Sequence, residues 1–494
     1  MLKKFTAYFL VAFLIISMGS LVLALDLDDV EPSEPAPVVS EFSGKGTEES
    51  PYIISEPEHL IKLADLVNVG NELYNSAYYE LQNSIDFKGY DFTPIGRIVT
   101  EIVAETGSDG NVKTDSSGNI KYTEVETEKF PFSGHFNGNG YALKNISINS
   151  DERVVGVFGI GHNATVENLR VENISITATR NNTIHVGALF GRYEGNWRSE
   201  DLYVTKCHVD GELVVRSDKA AYTGGLIGVF EVTLNVATVS DCRVDIDIDS
   251  VSGTTSYVGG MFATIEKGID LSRCVVTGRA YGEALGDANP YTGGVSARLV
   301  YDDWIGRMAS DDSYLMATSG YSKAYKIVSS IQIESVGLYR PLIGNTFTKV
   351  MEATAANCYY DSKYKVNGTL DSFEGIGKTT EELFDKSFLQ NTIGLDFVNT
   401  WEMVLGKPEL IKKDSQDIAY DLNDTELTVQ PVDCGDAKVI VAIINNGRFI
   451  TAKMADYSAG LPVTFALGGL NYDNIKIFAV DDFFSPLCEF VELN

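Results

Sequence analysis

Three aspartates in the segment RVDIDIDS form the most regular group of chemically active side chains in the sequence. Alternate residues of a β-strand point to the same face, so Asp245, Asp247 and Asp249 would form one outward row of carboxylates. Calcium ions prefer several oxygen ligands, which makes this row a candidate calcium site. The same pattern fits an acidic face that is simply solvated, and we favour that interpretation.

A second group is the segment YDDWIG, which places Asp302 and Asp303 beside Trp304. Paired acids next to an aromatic ring suit glycoside hydrolysis or the stacking of a sugar ring. Trp197, at the end of YEGNW, offers a similar aromatic surface. The competing interpretation is a loop in which the tryptophan covers the core. If these segments are functional, Asp302 and Asp303 are the catalytic candidates, and Trp197 and Trp304 are the binding candidates.

The cysteine and histidine residues form no recognisable catalytic motif. Cys207, Cys242 and Cys274 occupy a position that Leu169 fills in another copy of a repeated pattern. This exchange predicts small buried thiols, because no His or carboxylate shares their face at the spacing of metal ligands. The five His residues are scattered, and no HExxH zinc motif occurs. We therefore expect no cofactor apart from the calcium considered above.

The composition restricts the class of protein. The chain has 494 residues, of which 44% are hydrophobic and 11% aromatic, so it can bury a core and is neither wholly disordered nor collagen-like. Its 69 acidic and 39 basic residues give a net charge of -30. This field repels phosphate backbones, which disfavours nucleic acid as a partner, and it favours cations or basic partners.

The N-terminal segment predicts export. Lys3 and Lys4 precede an apolar run from Phe5 that reaches small residues around Ala24, which is the order of a secretory signal peptide over residues 1–25. An uncleaved membrane anchor is the alternative. Residues 26–45 are acidic and rich in proline, as in a solvated linker. No second apolar stretch of spanning length follows, so we expect a secreted or cell-surface protein without a transmembrane segment in its mature form.

A repeated pattern determines the predicted fold. The copies LKNISI, VENLRV, VTKCHV, VSDCRV and LSRCVV have their central residues 23, 38, 35 and 32 positions apart. They alternate with the Gly-rich phrases VGVFG, VGALFG, TGGLIG, VGGMFA and TGGVSA. Two short apolar strands per period cannot form a core alone, so equivalent strands must stack in parallel about 4.8 Å apart. The result is a parallel β-helix.

Two other repeat architectures fit less well. Helical solenoids need two amphipathic helices per repeat, whereas these units are rich in Val, Ile, Thr and Gly and alternate with period two. A β-propeller needs four antiparallel strands per blade, and each period offers only two or three. The prediction is therefore an all-β solenoid.

The ends of the solenoid and its tail have their own patterns. EPEHLIKLADLV and TTEELFDKSFL have helical spacing or capping, and they predict helical caps at the two ends. The polar arms between residues 98 and 130 predict a hairpin insertion. Residues 425–494 carry closely spaced strands and the hairpin signal Asn446–Gly447, which predict a small antiparallel β-sandwich. Cys434 and Cys488 lie at its two ends and could form a disulfide in an exported protein.

These phrases together resemble one bacterial family. FSGHFNGNGYALKNISI from Phe132, followed by GVFG and ATVENLRV, resembles the opening of a GLUG-motif β-helix. GTEESPYIISEPEHLIKLADLVN is similar to the N-terminal segment of such proteins, and KTTEELF and NTIGLDFVNTWEMVLGKPELIKK resemble their closing segments. The resemblance covers residues 46–413. It implies a right-handed β-helix on a secreted or surface protein and no defined reaction.

Three functions are compatible with this sequence. The leading hypothesis is a non-catalytic, adhesin-like surface protein that presents a β-helix face to an extracellular polymer or protein. The alternative is a carbohydrate-active β-helix enzyme, a polysaccharide lyase or glycoside hydrolase, that uses acids near Asp302 and Asp303. The third is a mechanical spacer that displays the C-terminal module.

Overall fold

A computed structural model describes most of the chain after residue 41. The described residues are 42–196, 203–286, 290–300, 323–335, 338–340, 343–347, 354–364, 375–412, 418–423, 425–431, 437–446, 448–458, 461–481 and 491–493. Several predictions fall outside them: the signal peptide, most of the linker, and residues Trp197, Asp302, Asp303, Trp304, Cys434 and Cys488.

The chain enters the solenoid through β1 (Tyr52–Ile54), α1 (Pro57–Val67) and α2 (Glu72–Asn75). Pro57 starts α1, a position where its missing N–H costs nothing. Leu60, Leu63, Ala64 and Val67 form the buried face of α1 and belong to the same apolar cluster as the solenoid interior. An N-terminal helical cap on the core is therefore present, as the spacing of these residues predicts.

The first strands of the solenoid follow in chain order. They are β2 (Tyr78–Leu81), β3 (Ile85–Asp86), β4 (Arg97–Ala104), β5 (Tyr122–Phe130), β6 (His135–Asn137), β7 (Ala142–Lys144), β8 (Ser147–Ser150), β9 (Val154–Val155), β10 (Phe158–His162), β11 (Thr165–Glu167), β12 (Arg170–Arg180), β13 (Ile184–Gly187) and β14 (Phe190–Gly195). Strands β4 and β5 pair antiparallel as a hairpin. Ile98 of this hairpin packs against Val154 and Ile160 on the outside of the solenoid.

The later strands continue the same path. They are β15 (Tyr203–Thr205), β16 (His208–Ser217), β17 (Ala221–Gly224), β18 (Ile227–Ser240), β19 (Arg243–Ser252), β20 (Ser256–Gly259), β21 (Phe262–Ser272), β22 (Val275–Ala284), β23 (Tyr291–Gly293), β24 (Ser296–Val300), β25 (Lys323–Tyr325), β26 (Val328–Ser335), β27 (Leu338–Arg340), β28 (Ile343–Phe347), β29 (Thr354–Ala356), β30 (Tyr359–Asp361) and β31 (Ile376–Lys378).

These strands form three parallel sheets, each containing one strand, or two consecutive strand segments, from successive coils. Sheet A consists of β1, β2, β6, β10, β11, β14, β15, β18, β21, β24, β25, β28 and β29. Sheet B consists of β3, β7, β8, β12, β16, β19, β22, β26, β30 and β31. Sheet C consists of β9, β13, β17, β20, β23 and β27. The predicted parallel β-helix is confirmed, because every pairing within these sheets joins strands of successive coils in parallel.

The Leu/Cys position stacks from coil to coil from Leu169 onward, as the repeat predicts. Ile146 of the first copy, LKNISI, does not join this stack, because the N–H of Ser175 donates to its carbonyl oxygen and so places it one coil before Ile174. Leu169, Cys207, Cys242 and Cys274 are completely buried. The residue after each of the three cysteines donates its N–H to the carbonyl of the equivalent core residue one coil earlier, at 2.9 Å in every case. Burial raises the pKa of the Cys242 and Cys274 thiols well above the ordinary value, so these thiols are poor nucleophiles and serve as packing groups.

A column of left-handed residues precedes the Leu/Cys stack, and we call it the turn ridge. Its members, with φ between 51° and 57°, are Asn168, Lys206, Asp241, Arg273, Lys326 and Asn357. Asn and Asp tolerate this conformation best, because a left-handed backbone crowds the Cβ atom of most L-residues. The ridge therefore projects one side chain per coil along the edge between sheets A and B.

The Gly-rich phrases lie at the corner between sheets C and A. A Cβ atom on Gly224 would lie 2.0 Å from the carbonyl oxygen of Ile227, and one on Gly259 would lie 1.7 Å from that of Phe262. Both separations are far below van der Waals contact. The repeated glycine is therefore needed because the backbone folds back on itself at this corner.

After the solenoid, the chain returns across the outer face of sheet B, and we call residues 379–412 the strap. The strap contains α3 (Thr380–Leu383), α4 (Lys386–Phe388), a π-helical turn (Leu389–Ile393), β32 (Trp401–Val404) and β33 (Lys407–Leu410). Thr379 and Glu382 form a capping box at the start of α3. Strands β32 and β33 pair antiparallel as a hairpin.

The C-terminal module is the predicted small antiparallel β-sandwich. One sheet contains β34 (Ile418–Leu422), β35 (Glu426–Pro431) and β38 (Val463–Ala466). The other contains β36 (Ala437–Asn445), β37 (Arg448–Tyr457), β39 (Asn474–Val480) and β40 (Val491–Leu493). Both sheets contribute to one apolar cluster. Its first strand, β34, begins at Ile418, whereas the sequence pattern predicts that the module starts at residue 425.

Candidate functional site

The three predicted calcium ligands lie on β19 with the expected alternation. Asp247 is exposed, and Asp245 and Asp249 are half-buried on the same outer face of sheet B. An oxygen of Asp245 lies 2.9 Å from Nη2 of Arg243, and one of Asp249 lies 3.0 Å from Nη2 of Arg216. Two of the three carboxylates are thus paired with guanidinium groups. Calcium binding at this row stays a prediction.

A broader search for metal ligands covers the described part of the chain only. Within it, no group of three or more His, Cys, Asp and Glu side chains is arranged to hold a metal ion. The catalytic candidates Asp302 and Asp303 and the binding candidates Trp197 and Trp304 lie outside that part.

The outer face of sheet B carries a repeated charged triplet that the sequence analysis did not identify. It occurs as Arg170-Val171-Glu172, His208-Val209-Asp210 and Arg243-Val244-Asp245, at the start of β12, β16 and β19. The parallel register aligns Arg170 with His208 and His208 with Arg243. The sheet therefore carries a basic column (Arg170, His208, Arg243) beside a carboxylate column (Glu172, Asp210, Asp245).

Within each triplet, the basic side chain contacts the carboxylate of the same triplet. Nε of Arg170 lies 2.9 Å from Glu172, and Nε2 of His208 lies 2.7 Å from Asp210. The Arg243 pair has a similar length, as given above. The pairs form because residues two apart on a strand share one face, so the geometry follows directly from the triplet.

The strap completes the charged cluster from the opposite side. An oxygen of Glu409 in β33 lies 3.2 Å from Nη2 of Arg243, and the other lies 3.5 Å from Nδ1 of His208. The Arg243 side chain is completely buried, and its Nε donates to the carbonyl oxygen of Pro408 at 3.1 Å. Nη1 of Arg170 donates to the carbonyl oxygen of Leu410 at 2.8 Å. The basic column thus fixes β33 on sheet B.

Glu172, Asp210, Asp245 and Arg243 are ionised at neutral pH. Burial works to raise the pKa of Glu172, but the charges of Arg170 and Lys412 outweigh it and lower that pKa to about 2. Burial also opposes ionisation of Asp210 and Asp245, yet the hydrogen bond from His208 and the charge of Arg243 lower their pKa values. For Arg243, burial is outweighed by Glu409 and Asp245, so its pKa is raised.

An open cleft of about 760 Å³ lies between the carboxylate column, the β32–β33 hairpin and the sandwich. Its walls include Glu172, Asp210, Lys407, Lys412 and Tyr420. The cleft therefore combines charged groups of both signs with an aromatic ring, which can bind a polymer or protein segment by ion pairs and stacking.

One glutamine joins the sandwich to the hairpin at the edge of the cleft. The side-chain amide of Gln430 in β35 donates to the carbonyl oxygen of Met403 at 3.0 Å and accepts from the N–H of Leu405 at 2.7 Å. Gln430 is buried. This paired contact sets the position of the sandwich wall relative to the strap.

Sequence reasoning could have found half of this site. A basic residue, Val and an acid follow the Leu/Cys position in three successive copies, and that period is visible in the printed sequence. Glu409 carries no comparable signal, because its contacts with His208 and Arg243 join residues far apart in the chain.

Comparisons with known proteins find relatives that match part of the chain and assign it to no family. No family model matches the chain. It is 31% identical over 154 residues to a protein of Evansella cellulosilytica provisionally named a Gly-rich membrane protein. This match covers 31% of this chain and 14% of that protein. It is 28% identical over 152 residues to halomucin of Haloquadratum walsbyi, over 30% of this chain and 1% of that protein. The chain therefore spans a small fraction of the length of these relatives.

A solved structure with partial similarity is that of a provisionally assigned immunoglobulin A1 protease from Bacteroides ovatus. The similarity covers 74% of this chain and 94% of that one, with 16% identity and a TM-score of 0.49. These values are too low to bear on the function of the chain. Among the described residues, no helix is long and apolar enough to cross a membrane.

Proposed function

We propose that this chain is an exported, non-catalytic, adhesin-like surface protein that binds an extracellular polymer or protein. The observation that carries the proposal is the cleft of about 760 Å³ beside the carboxylate column, with its charged walls and the Tyr420 ring. Solenoids offer extended surfaces of this kind for recognition. In this proposal the β-helix supplies one wall, and the strap and the sandwich supply the others.

Several observations support a surface location and a GLUG-type relationship, both of which are part of the proposal. One relative has a membrane protein's name and the other is named halomucin. The N-terminal sequence has the order of a signal peptide. The recurring glycines at the corner between sheets C and A give the GLUG-like phrases a physical reason.

The charge states of three carboxyl groups in the cleft, Glu172, Asp210 and Asp245, suit binding rather than glycoside hydrolysis. That reaction needs one carboxyl group that stays protonated near neutral pH, which requires a raised pKa. Glu172, Asp210 and Asp245 have lowered pKa values instead. They are suited to hold the strap and to attract cationic groups of a ligand.

The test is a binding screen with a matched pair of variants. The full chain would be titrated against extracellular polysaccharides and proteins, and each ligand found would be repeated with Tyr420→Ala and Phe449→Ala. Phe449 is 67% exposed on the same sandwich and does not line the cleft. Losing one aromatic contact should weaken binding about tenfold in Tyr420→Ala and leave it unchanged in Phe449→Ala.

Two results would contradict the proposal. The first is the absence of any saturable ligand across the screen. The second is the release of oligosaccharides from a glycan that stops in an Asp302→Ala/Asp303→Ala variant, because it would establish the carbohydrate-active enzyme instead.

A further inference from the structure

A second cavity, of about 500 Å³, lies between the turn ridge and the strap, and we call it the ridge pocket. Its lining includes three cationic side chains, Arg170, Lys206 and Lys412, and no Asp or Glu. The chain as a whole carries a charge of -30. The charged side chains of the lining are thus all cationic, although Glu172 outside it pairs with Arg170 and Lys412 and the charge of Lys206 helps to lower the pKa of Asp396.

Two of the three cations, Arg170 and Lys206, retain donors for a ligand, whereas Lys412 pairs with Glu172 at 3.3 Å. Nε and Nη1 of Arg170 are used by Glu172 and the carbonyl oxygen of Leu410, whereas Nη2 has no hydrogen-bond partner among the described residues. Lys206 is exposed on the turn ridge, and it forms no ion pair within the described ranges. A carboxylate entering the pocket would find one fixed guanidinium donor and a mobile ammonium group.

The same pocket also offers hydrogen-bond acceptors. The side-chain amide of Asn139 donates to the carbonyl oxygen of Leu81 at 2.9 Å, and that of Asn168 donates to Oδ1 of Asn137 at 3.1 Å. These contacts fix both amides through their nitrogen atoms. Neither Oδ1 accepts a hydrogen bond within the part of the chain described, so both remain for hydroxyl donors.

We propose that the ridge pocket binds a hexuronate unit of an acidic polysaccharide. The sugar carboxylate would pair with Arg170 and Lys206, and the ring hydroxyls would donate to Oδ1 of Asn139 and Asn168. A simple anion without O–H groups, such as sulfate, would satisfy the cations but leave the two amide acceptors unused. This inference rests on the proposed binding function and names a ligand class for a cavity next to the Tyr420 cleft. The two cavities share Arg170 and Lys412, whereas Lys206 lines only the ridge pocket and Tyr420 only the cleft.

The experiment compares two ligands that differ in charge and in the methyl groups of an ester. Trigalacturonate and its methyl ester have the same rings and hydroxyl groups, and only the first carries carboxylates. Both would be titrated calorimetrically against the full chain at about 0.15 M salt, where a Debye length of about 8 Å screens the distant acids more than a direct ion pair. We expect the ester to bind at least about tenfold more weakly, since it loses a charge-assisted contact.

Two lysines of the turn ridge supply the variant and its control. Lys206 and Lys326 have φ of 52° and 57°, and Asn168 already occupies an equivalent left-handed position. Lys206→Asn and Lys326→Asn therefore make the same change of charge on a backbone that Asn tolerates. Lys326 does not line the pocket. Binding of trigalacturonate should weaken about tenfold in Lys206→Asn and stay within error in Lys326→Asn.

The outcomes separate this inference from the proposed function. Equal affinity for the acid and the ester, or equal losses in the two variants, would overturn the ridge pocket as a uronate site. Failure of trigalacturonate to bind the correctly folded wild-type chain would also overturn it. None of these results affects ligands found in the screen that depend on Tyr420, because that residue lines the other cavity.

Discussion

The outer face of sheet B has two halves that solve the same packing problem with different chemistry. In the earlier coils, which we call the lower half, the column that faces the strap consists of Arg170, His208 and Arg243. In the later coils, the upper half, the same register position is filled by Val275, Val328 and Tyr359. One strap covers both halves. A β-helix column can therefore change from ionic to apolar between neighbouring coils without a change of backbone.

The two halves are stabilised by different forces. Val275, Val328 and Tyr359 pack against apolar side chains of the strap, among them Leu389 and Trp401. That contact depends on apolar burial and is insensitive to pH. The lower half depends on buried ion pairs, whose Coulomb attraction is offset by the cost of removing charges from water. We therefore expect the apolar half to supply most of the strap's stability and the ionic half to fix its register.

Trp401→Ala should give the largest effect, because it removes a completely buried indole from the apolar half. The expected loss in the free energy of unfolding is about 3–5 kcal/mol, the usual range for deletion of a buried Trp. Urea denaturation would measure it. Val398→Ala is the control, since Val398 is 78% exposed on the same strap and should change stability by less than about 0.5 kcal/mol. Similar losses in the two variants would contradict this packing.

Glu409→Gln should come next. It leaves the buried Arg243 with one carboxylate partner instead of two, and we expect a loss of about 1–3 kcal/mol in the free energy of unfolding. A triple variant, Arg243→Val/Asp245→Thr/Glu409→Leu, replaces the three charged side chains by uncharged ones. Its first two changes copy Val275 and Thr277, which occupy the same positions in the next coil. That variant should be as stable as the wild type or more so. A triple variant less stable than Glu409→Gln would show that the two halves are not interchangeable.

Acid should loosen the ionic half selectively. The pKa of Glu172 is lowered from 4.5 to about 2, so its contribution is fully present above about pH 4.5 and disappears as the pH falls toward 2. Asp210 and Asp245 are shifted in the same direction. Hydrogen-exchange protection factors of residues 407–410 should therefore fall in this range before those of residues 389–395. Simultaneous loss in both segments would contradict a selective effect.

Calcium should have the smallest effect. Asp245 and Asp249 are already paired with Arg243 and Arg216, so a cation would have to compete with these guanidinium groups. We expect the melting temperature to be the same in excess Ca²⁺ and in a chelator. A Ca²⁺-dependent increase that is lost in Asp247→Asn would instead establish the row as a calcium site, because bound ligand stabilises the folded state.

The sequence predicts the solenoid, but it does not predict that the strap lies on sheet B. The Leu/Cys position predicts the stack because neighbouring coils repeat the same local pattern, and Leu169 and Cys207 do stack. The strap is different, since Arg170 and Leu410 are 240 residues apart and neither segment repeats the other. No local periodicity can predict such a contact. The basic–Val–acidic triplets are visible in the sequence, but the repeat pattern that predicts the solenoid uses only their apolar residues.

A double-mutant cycle between Arg243 and Glu409 tests the ionic contact between strap and solenoid most directly. The free energy of unfolding would be measured for Arg243→Val, Glu409→Leu, the double variant and the wild type. We predict a coupling energy of about 1.5–3 kcal/mol, because each single change leaves the other charge buried with fewer partners. Additivity within about 0.5 kcal/mol would mean that the two side chains do not meet, and it would contradict the placement of the strap on sheet B.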